Sequence, residues 1–156
     1  MTPRERRLVV DHHELRELEA SGVVAVTASG SPPECYSVRF TAPGLAPGED
    51  GIPVARDEHE FAVYLHLDYP RRPPVITWCT PVFHPNLLGP DRHGGVCIGS
   101  WSPSESLRDL VVRLVELAGW RAFGLADALN IAAAAWAREH AVVPDGDVQK
   151  LVGAHA

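Results

Sequence analysis

Between Pro73 and Pro103 the chain reads PPVITWCTPVFHPNLLGPDRHGGVCIGSWSP, with six prolines, two cysteines, two histidines and one asparagine. Proline fixes φ and has no N–H to donate, so no regular helix can run through this stretch. Only one short strand, "PVITWC" at 74–79, fits ahead of Pro81. The reactive side chains inside the segment admit three readings: a metal site, a nucleophilic cysteine with helpers, or a rigid turn.

Before the segment, residues 3–20 read as an amphipathic helix. Pro3 suits a first turn, and Leu8, His12, Leu15 and Leu18 recur at helical spacing with Val9 beside them. Ser21-Gly22 ends it. Strands are expected at 23–27, 35–40, 59–67 and 74–79. Tyr36, Val38 and Phe40 alternate with polar neighbours, and Phe61, Val63 and Leu65 alternate too. The Gly/Pro-rich stretch 41–58 predicts a long, mobile hairpin tip. From Ser104 the period becomes helical, with Leu107, Leu110, Val111, Leu114, Val115 and Ala118 on one face. Ser106 with Asp109 suggests a capping box. Residues 126–140 read as a second, Ala-rich helix, 143–146 as a turn, and the tail as one more short helical turn. The sum is an α+β fold in a single domain over 1–156. It has an N-terminal helix, a four-stranded antiparallel meander, an irregular segment and C-terminal helices.

Several function classes are excluded by composition. A net charge of −6 argues against a nucleic-acid binder. No apolar run reaches membrane-spanning length. The N-terminus is charged throughout, unlike a signal peptide. Three cysteines, an odd number, suit a reducing cytoplasm better than a disulfide framework.

Singly, the segment's residues are bland. Cys97 would be a small buried hydrophobe, His84 a turn residue, Asn86 an Asx turn, and Tyr69-Pro70 with Pro73-Pro74 a stiff elbow. Together and in order they resemble the catalytic signature of ubiquitin-conjugating enzymes. The matching elements are Tyr69-Pro70, Pro73-Pro74, the strand VITW, the tripeptide His84-Pro85-Asn86, Gly94-Gly95-Val96-Cys97 and Trp101-Ser102-Pro103. ADALNIAAAAW, from residue 126, is similar to a family stretch that follows the next helix. The order of helix, meander, active-site loop and helices covers nearly the whole chain. The composition, with thirteen of fourteen basic residues Arg, suits a divergent bacterial member.

The resemblance implies a transferase that needs no cofactor. It takes a ubiquitin-like protein from an activating enzyme as a thioester on Cys97 and passes it to an amine, with a ligase or target protein as further partner. His84 would hold the turn. Asn86 would either donate to the oxyanion or brace the loop. Asp127 matches the carboxylate that orients and deprotonates the incoming amine, or it is an acidic residue at a helix N-terminus. Arg4, Arg6 and Arg7 would offer a basic face to the activating enzyme. The chain departs from the family in its long LLGPDRHG insertion before Cys97 and its short IGS link after it, where Gly99 replaces an acidic residue. A structural zinc on Cys79, His84, His93 and Cys97 is the rival reading, with Cys79 otherwise buried at a strand end. A binding-only variant of the same fold is a third.

Overall fold

The computed structural model describes residues 1–153. Its order is α1 (Pro3–Ala20), β1 (Ala25–Gly30), β2 (Pro33–Pro47), β3 (Pro53–Tyr64), β4 (Val75–Trp78), α2 (Leu107–Ala118), α3 (Ile131–Glu139) and α4 (Val148–Gly153). This is the predicted α+β architecture, with each strand antiparallel to the next in the order β1-β2-β3-β4.

Thr2 starts α1 with a complete capping box. Its hydroxyl accepts from the Glu5 N–H at 3.1 Å, and the Glu5 carboxylate accepts from the Thr2 N–H at 3.0 Å. The helix buries Leu8, Leu15 and Leu18 as expected, but its fourth buried residue is Asp11, while Val9 is exposed. The sheet's inner face shows the predicted alternation. Val26, Val38, Phe61 and Trp78 are paired in one row across all four strands, and all are buried. The Phe61 and Trp78 rings stack at 5.3 Å. The buried faces of α1 and α2 close the same core. Each apolar side chain fully buried this way contributes about 1.5–3 kcal/mol.

Two expectations need correction. The stretch 41–58 is not a long mobile tip: β2 and β3 stay paired out to Pro47 and Pro53, leaving a short turn, with one register shift between Thr41 and Gly44. Glycine signalled a turn, but Gly44 serves close packing instead. A Cβ there would lie 2.5 Å from the Ala118 carbonyl oxygen. Leu45 beyond it is fully buried in a second apolar cluster with Phe83, Trp120, Ala133, Ala137 and Val148. The second correction concerns the helix predicted over 126–140, which begins only at Ile131. Asp127 sits at φ +54°, incompatible with a helix, and the Asn130 side chain caps the first turn through the Ala133 N–H at 3.0 Å. At α2, Ser106 accepts from the Asp109 N–H at 3.0 Å, which is one half of the expected box.

Candidate active site

The segment after β4 is irregular but not loose. Leu87 is fully buried in the main core and makes isolated bridges to His84 and Val96, which turns the LLGPDRHG insertion back on itself. A 3-10 turn at Pro90–Arg92 forms its tip. Gly94, at φ +65°, lets the returning strand press on β4, where its carbonyl accepts from the Trp78 N–H at 2.9 Å. A Cβ there would lie 2.8 Å from the Trp78 nitrogen and closer still to its carbonyl oxygen. The returning strand then lies antiparallel to the His-Pro-Asn turn. Leu88 donates to the Gly95 carbonyl at 2.7 Å and Cys97 to the Asn86 carbonyl at 3.0 Å. The Cys97 side chain is exposed.

His84 is fully buried against Trp120, ring centroids 4.8 Å apart. Its Nδ1 accepts from the Asn86 N–H at 3.0 Å, so the proton sits on Nε2, which has no hydrogen-bond partner. Burial pushes the ring's pKa down to about 3, opposed only by the Ala122 backbone. A neutral, enclosed imidazole holds the turn and does not exchange protons with substrate near neutral pH.

Asn86 is buried, and its amide is committed at both ends to Gly124. Nδ2 donates to the Gly124 carbonyl at 3.1 Å, and Oδ1 accepts from the Gly124 N–H at 2.8 Å. Asn130 N–H donates to the Pro85 carbonyl at 3.0 Å. The loop from Gly124 to Asn130 is thus pinned at both ends to the His-Pro-Asn turn, against which Cys97 is paired. Asp127 is exposed in the middle of that loop. Asn130, not Asp127, caps α3, which removes the helix N-terminal reading of Asp127. One Nδ2 hydrogen of Asn86 is left unused by these bonds.

The rival zinc ligands are not gathered. Among the described residues no group of three His, Cys, Asp or Glu side chains is placed to hold a metal ion. His84 is enclosed, with Nδ1 already engaged. Cys79, expected to be buried, is exposed beyond β4 beside Glu60, and desolvation with that charge raises its pKa.

Residues 10–145 match the ubiquitin-conjugating enzyme family. The chain belongs to that family. Ubiquitin-conjugating enzyme E2 13 of Saccharomyces cerevisiae is 31% identical over 86 residues, covering 53% of this chain and 50% of the yeast protein. This chain's match thus spans about half of that relative's length. Ubiquitin-conjugating enzyme E2 N of Drosophila melanogaster is 25% identical over 116 residues, covering 72% of this chain and 70% of the fly protein. Among solved structures, a Trypanosoma cruzi ubiquitin conjugating enzyme superposes with a TM-score of 0.62 at 20% identity, covering 86% of this chain and 89% of its own. A Toxoplasma gondii ubiquitin conjugating enzyme gives 0.61 at 21%, covering 88% of each chain. The fold is that of ubiquitin-conjugating enzymes.

In this family member the expected basic face of α1 is largely used internally. Arg4 donates to the Leu65 and His66 carbonyls at 2.9 and 3.0 Å. Arg7 pairs with Asp11, donates to the Tyr69 hydroxyl at 3.1 Å, and reaches the Pro103 and Glu105 carbonyls. Of the three, only Arg6 is exposed, reaching back to the Met1 carbonyl. Sequence reasoning missed Gly124, Arg113 and Glu105 around the site. Gly124 carries no side-chain signal, and the two charged residues read as ordinary solvated positions of a helix and its approach.

Proposed function

We propose that this protein accepts a ubiquitin-like protein from an activating enzyme as a thioester on Cys97 and transfers it to an amine of a target, alone or with a ligase. The observation that carries the reading is the pairing of an exposed Cys97 with the Asn86 carbonyl. That bond sets a free thiol directly beside the His84-Pro85-Asn86 turn. The Cys97 thiolate attacks the modifier's C-terminal carbonyl carbon, and the activating enzyme's cysteine departs as a thiolate. An amine then attacks the new thioester, and Cys97 leaves as thiolate. His84 is a positioning residue, and the Gly124 bonds favour a bracing role for Asn86. Asp127, on the loop pinned to the same turn, orients the amine and takes its proton; a free lysine, with pKa about 10.4, needs such a base. A reducing cytoplasm suits three exposed free thiols.

The test is charging with activating enzyme, modifier and ATP. The protein should gain one modifier mass that a thiol reductant removes, Cys97→Ser should trap a reductant-resistant ester, and Cys97→Ala should give nothing. Cys35→Ala and Cys79→Ala should charge nearly normally. Charging that survives Cys97→Ala would overturn the assignment, and an uncharged wild type would favour the binding-only variant of the fold.

A further inference from the structure

Only three residues separate Cys97 from Trp101, and beyond the packing of Ile98 against the main core the link they form has little to hold it. Gly99 is exposed at φ +77°, with open space where a Cβ would stand. Trp101 is anchored beyond it, its Nε1 donating to the Pro70 carbonyl at 2.9 Å. Among the described residues, one hydrogen bond reaches the backbone of 98–100: Arg113 Nη1 donates to the Ile98 carbonyl at 2.9 Å. Arg113 lies on α2, whose rotation is fixed by the burial of Leu110, Val111 and Leu114. Its second nitrogen is held by Glu105, Nη2 to Oε2 at 3.2 Å, with both side chains about one-third exposed or less. Cys97 is therefore gripped on two sides. Its own N–H is tied to Asn86, and the next residue's carbonyl is tied to a guanidinium set on a packed helix.

We infer that Arg113, steadied by Glu105, is a positioning residue for Cys97. It fixes the direction in which the nucleophile leaves the returning strand. The inference rests on the thioester reading given above. A planar fork can hold the Ile98 carbonyl and the Glu105 carboxylate together, which a lysine ammonium cannot do in the same geometry. Without the clamp the link pivots at Gly99, and the thiol loses alignment with the incoming carbonyl. Misplacement on the ångström scale costs on the order of tenfold to a hundredfold in rate.

Two measurements separate the clamp from the reaction that uses it. The first is amide hydrogen exchange on the protein alone. Arg113→Ala should speed exchange of the Cys97 N–H while leaving the α2 amides and the urea midpoint near wild type. The second is transfer from modifier-loaded activating enzyme. In Arg113→Ala kcat should fall about tenfold or more with KM nearly unchanged. Arg113→Lys should fall less, and Glu105→Gln, which keeps the packing volume, should lie between. Wild-type exchange and wild-type kcat in Arg113→Ala would overturn the inference, as would a loss confined to KM, the signature of a partner contact. A parallel collapse of α2 protection and the urea midpoint in both Arg113→Ala and Glu105→Gln would make the pair merely structural. If the wild type accepts no modifier, the thioester reading fails, and the exchange data alone decide whether the clamp exists.

Discussion

Asn86 uses both ends of its side-chain amide on one residue, Gly124, and so ties the His-Pro-Asn turn to the loop that carries Asp127. If bracing is its work, Asn86→Ala should lower stability by about 1–2 kcal/mol, the ordinary worth of one or two hydrogen bonds whose far partner can still find water. It should slow transfer as the Asp127 loop loosens. A urea midpoint at wild type beside slow transfer would return Asn86 to the oxyanion role. Gly94 is the second residue whose identity the geometry demands. Gly94→Ala meets the Trp78 backbone and a left-handed φ together, so a loss of about 1–3 kcal/mol is expected in urea unfolding. Gly95→Ala meets only the flexible end of Leu88, 3.2 Å away, and should cost clearly less. At this scale the proposed nucleophile and the turn beside it stood out because each occupies a fixed place in a short ordered motif. Gly124 and Arg113 were not, because their roles depend on contacts made across 38 and 15 residues of chain.

Among elements, α1 is fastened to the Tyr-Pro elbow more firmly than its apolar stripe suggested. Asp11 is buried and receives the Tyr69 hydroxyl at 2.6 Å and the Arg7 guanidinium at 3.0–3.1 Å. Arg7 then bridges to the backbone just before α2. An aspartate at a helical position reads as solvated until its partner, 58 residues away, is known. The apolar period of residues 3–20 was thus a sound guide to the helix and a poor guide to this one site. The hairpin stem misled in the opposite sense, since its glycine and prolines resemble a loop while Leu45 seeds a core. Tyr69→Phe removes the donor to Asp11 and an acceptor of Arg7 but leaves the ion pair, so it should cost about 1–2 kcal/mol. Asp11→Ala removes the counter-charge of a partly buried guanidinium and the acceptor of the Tyr69 hydroxyl, and should cost more, about 3–5 kcal/mol. Urea unfolding of the two variants checks the ranking. Equal losses would mean that the Tyr69–Asp11 bond, and not the Arg7–Asp11 pair, carries the brace.

For the molecule as a whole, imidazoles with lowered pKa values make stability depend on pH in one direction. His84, His59 and His12 all have pKa values lowered, in each case first by desolvation, and His84 falls to about 3. In the unfolded chain a histidine titrates near 6.5. Between pH 6.5 and 3 the unfolded state therefore holds a proton at position 84 that the folded state lacks. Stability rises with pH through that window, is fully present above about pH 6.5, and is lost as the pH falls below it. The loss amounts to about 1.4 kcal/mol per pH unit from one such group. Going from pH 7 to pH 5 should then cost about 2 kcal/mol through His84, with His59 adding in the same sense. That interval lies above the usual carboxylate range, so the slope belongs mainly to histidines. Urea unfolding at pH 5, 6 and 7 measures it. His84→Asn keeps a side-chain acceptor for the Asn86 N–H and removes the titration. Its midpoint at pH 7 should lie below that of the wild type, and its slope between pH 5 and 7 should be visibly shallower. A slope identical to wild type would mean that His84 takes no part, and that the turn beside Cys97 is indifferent to acid.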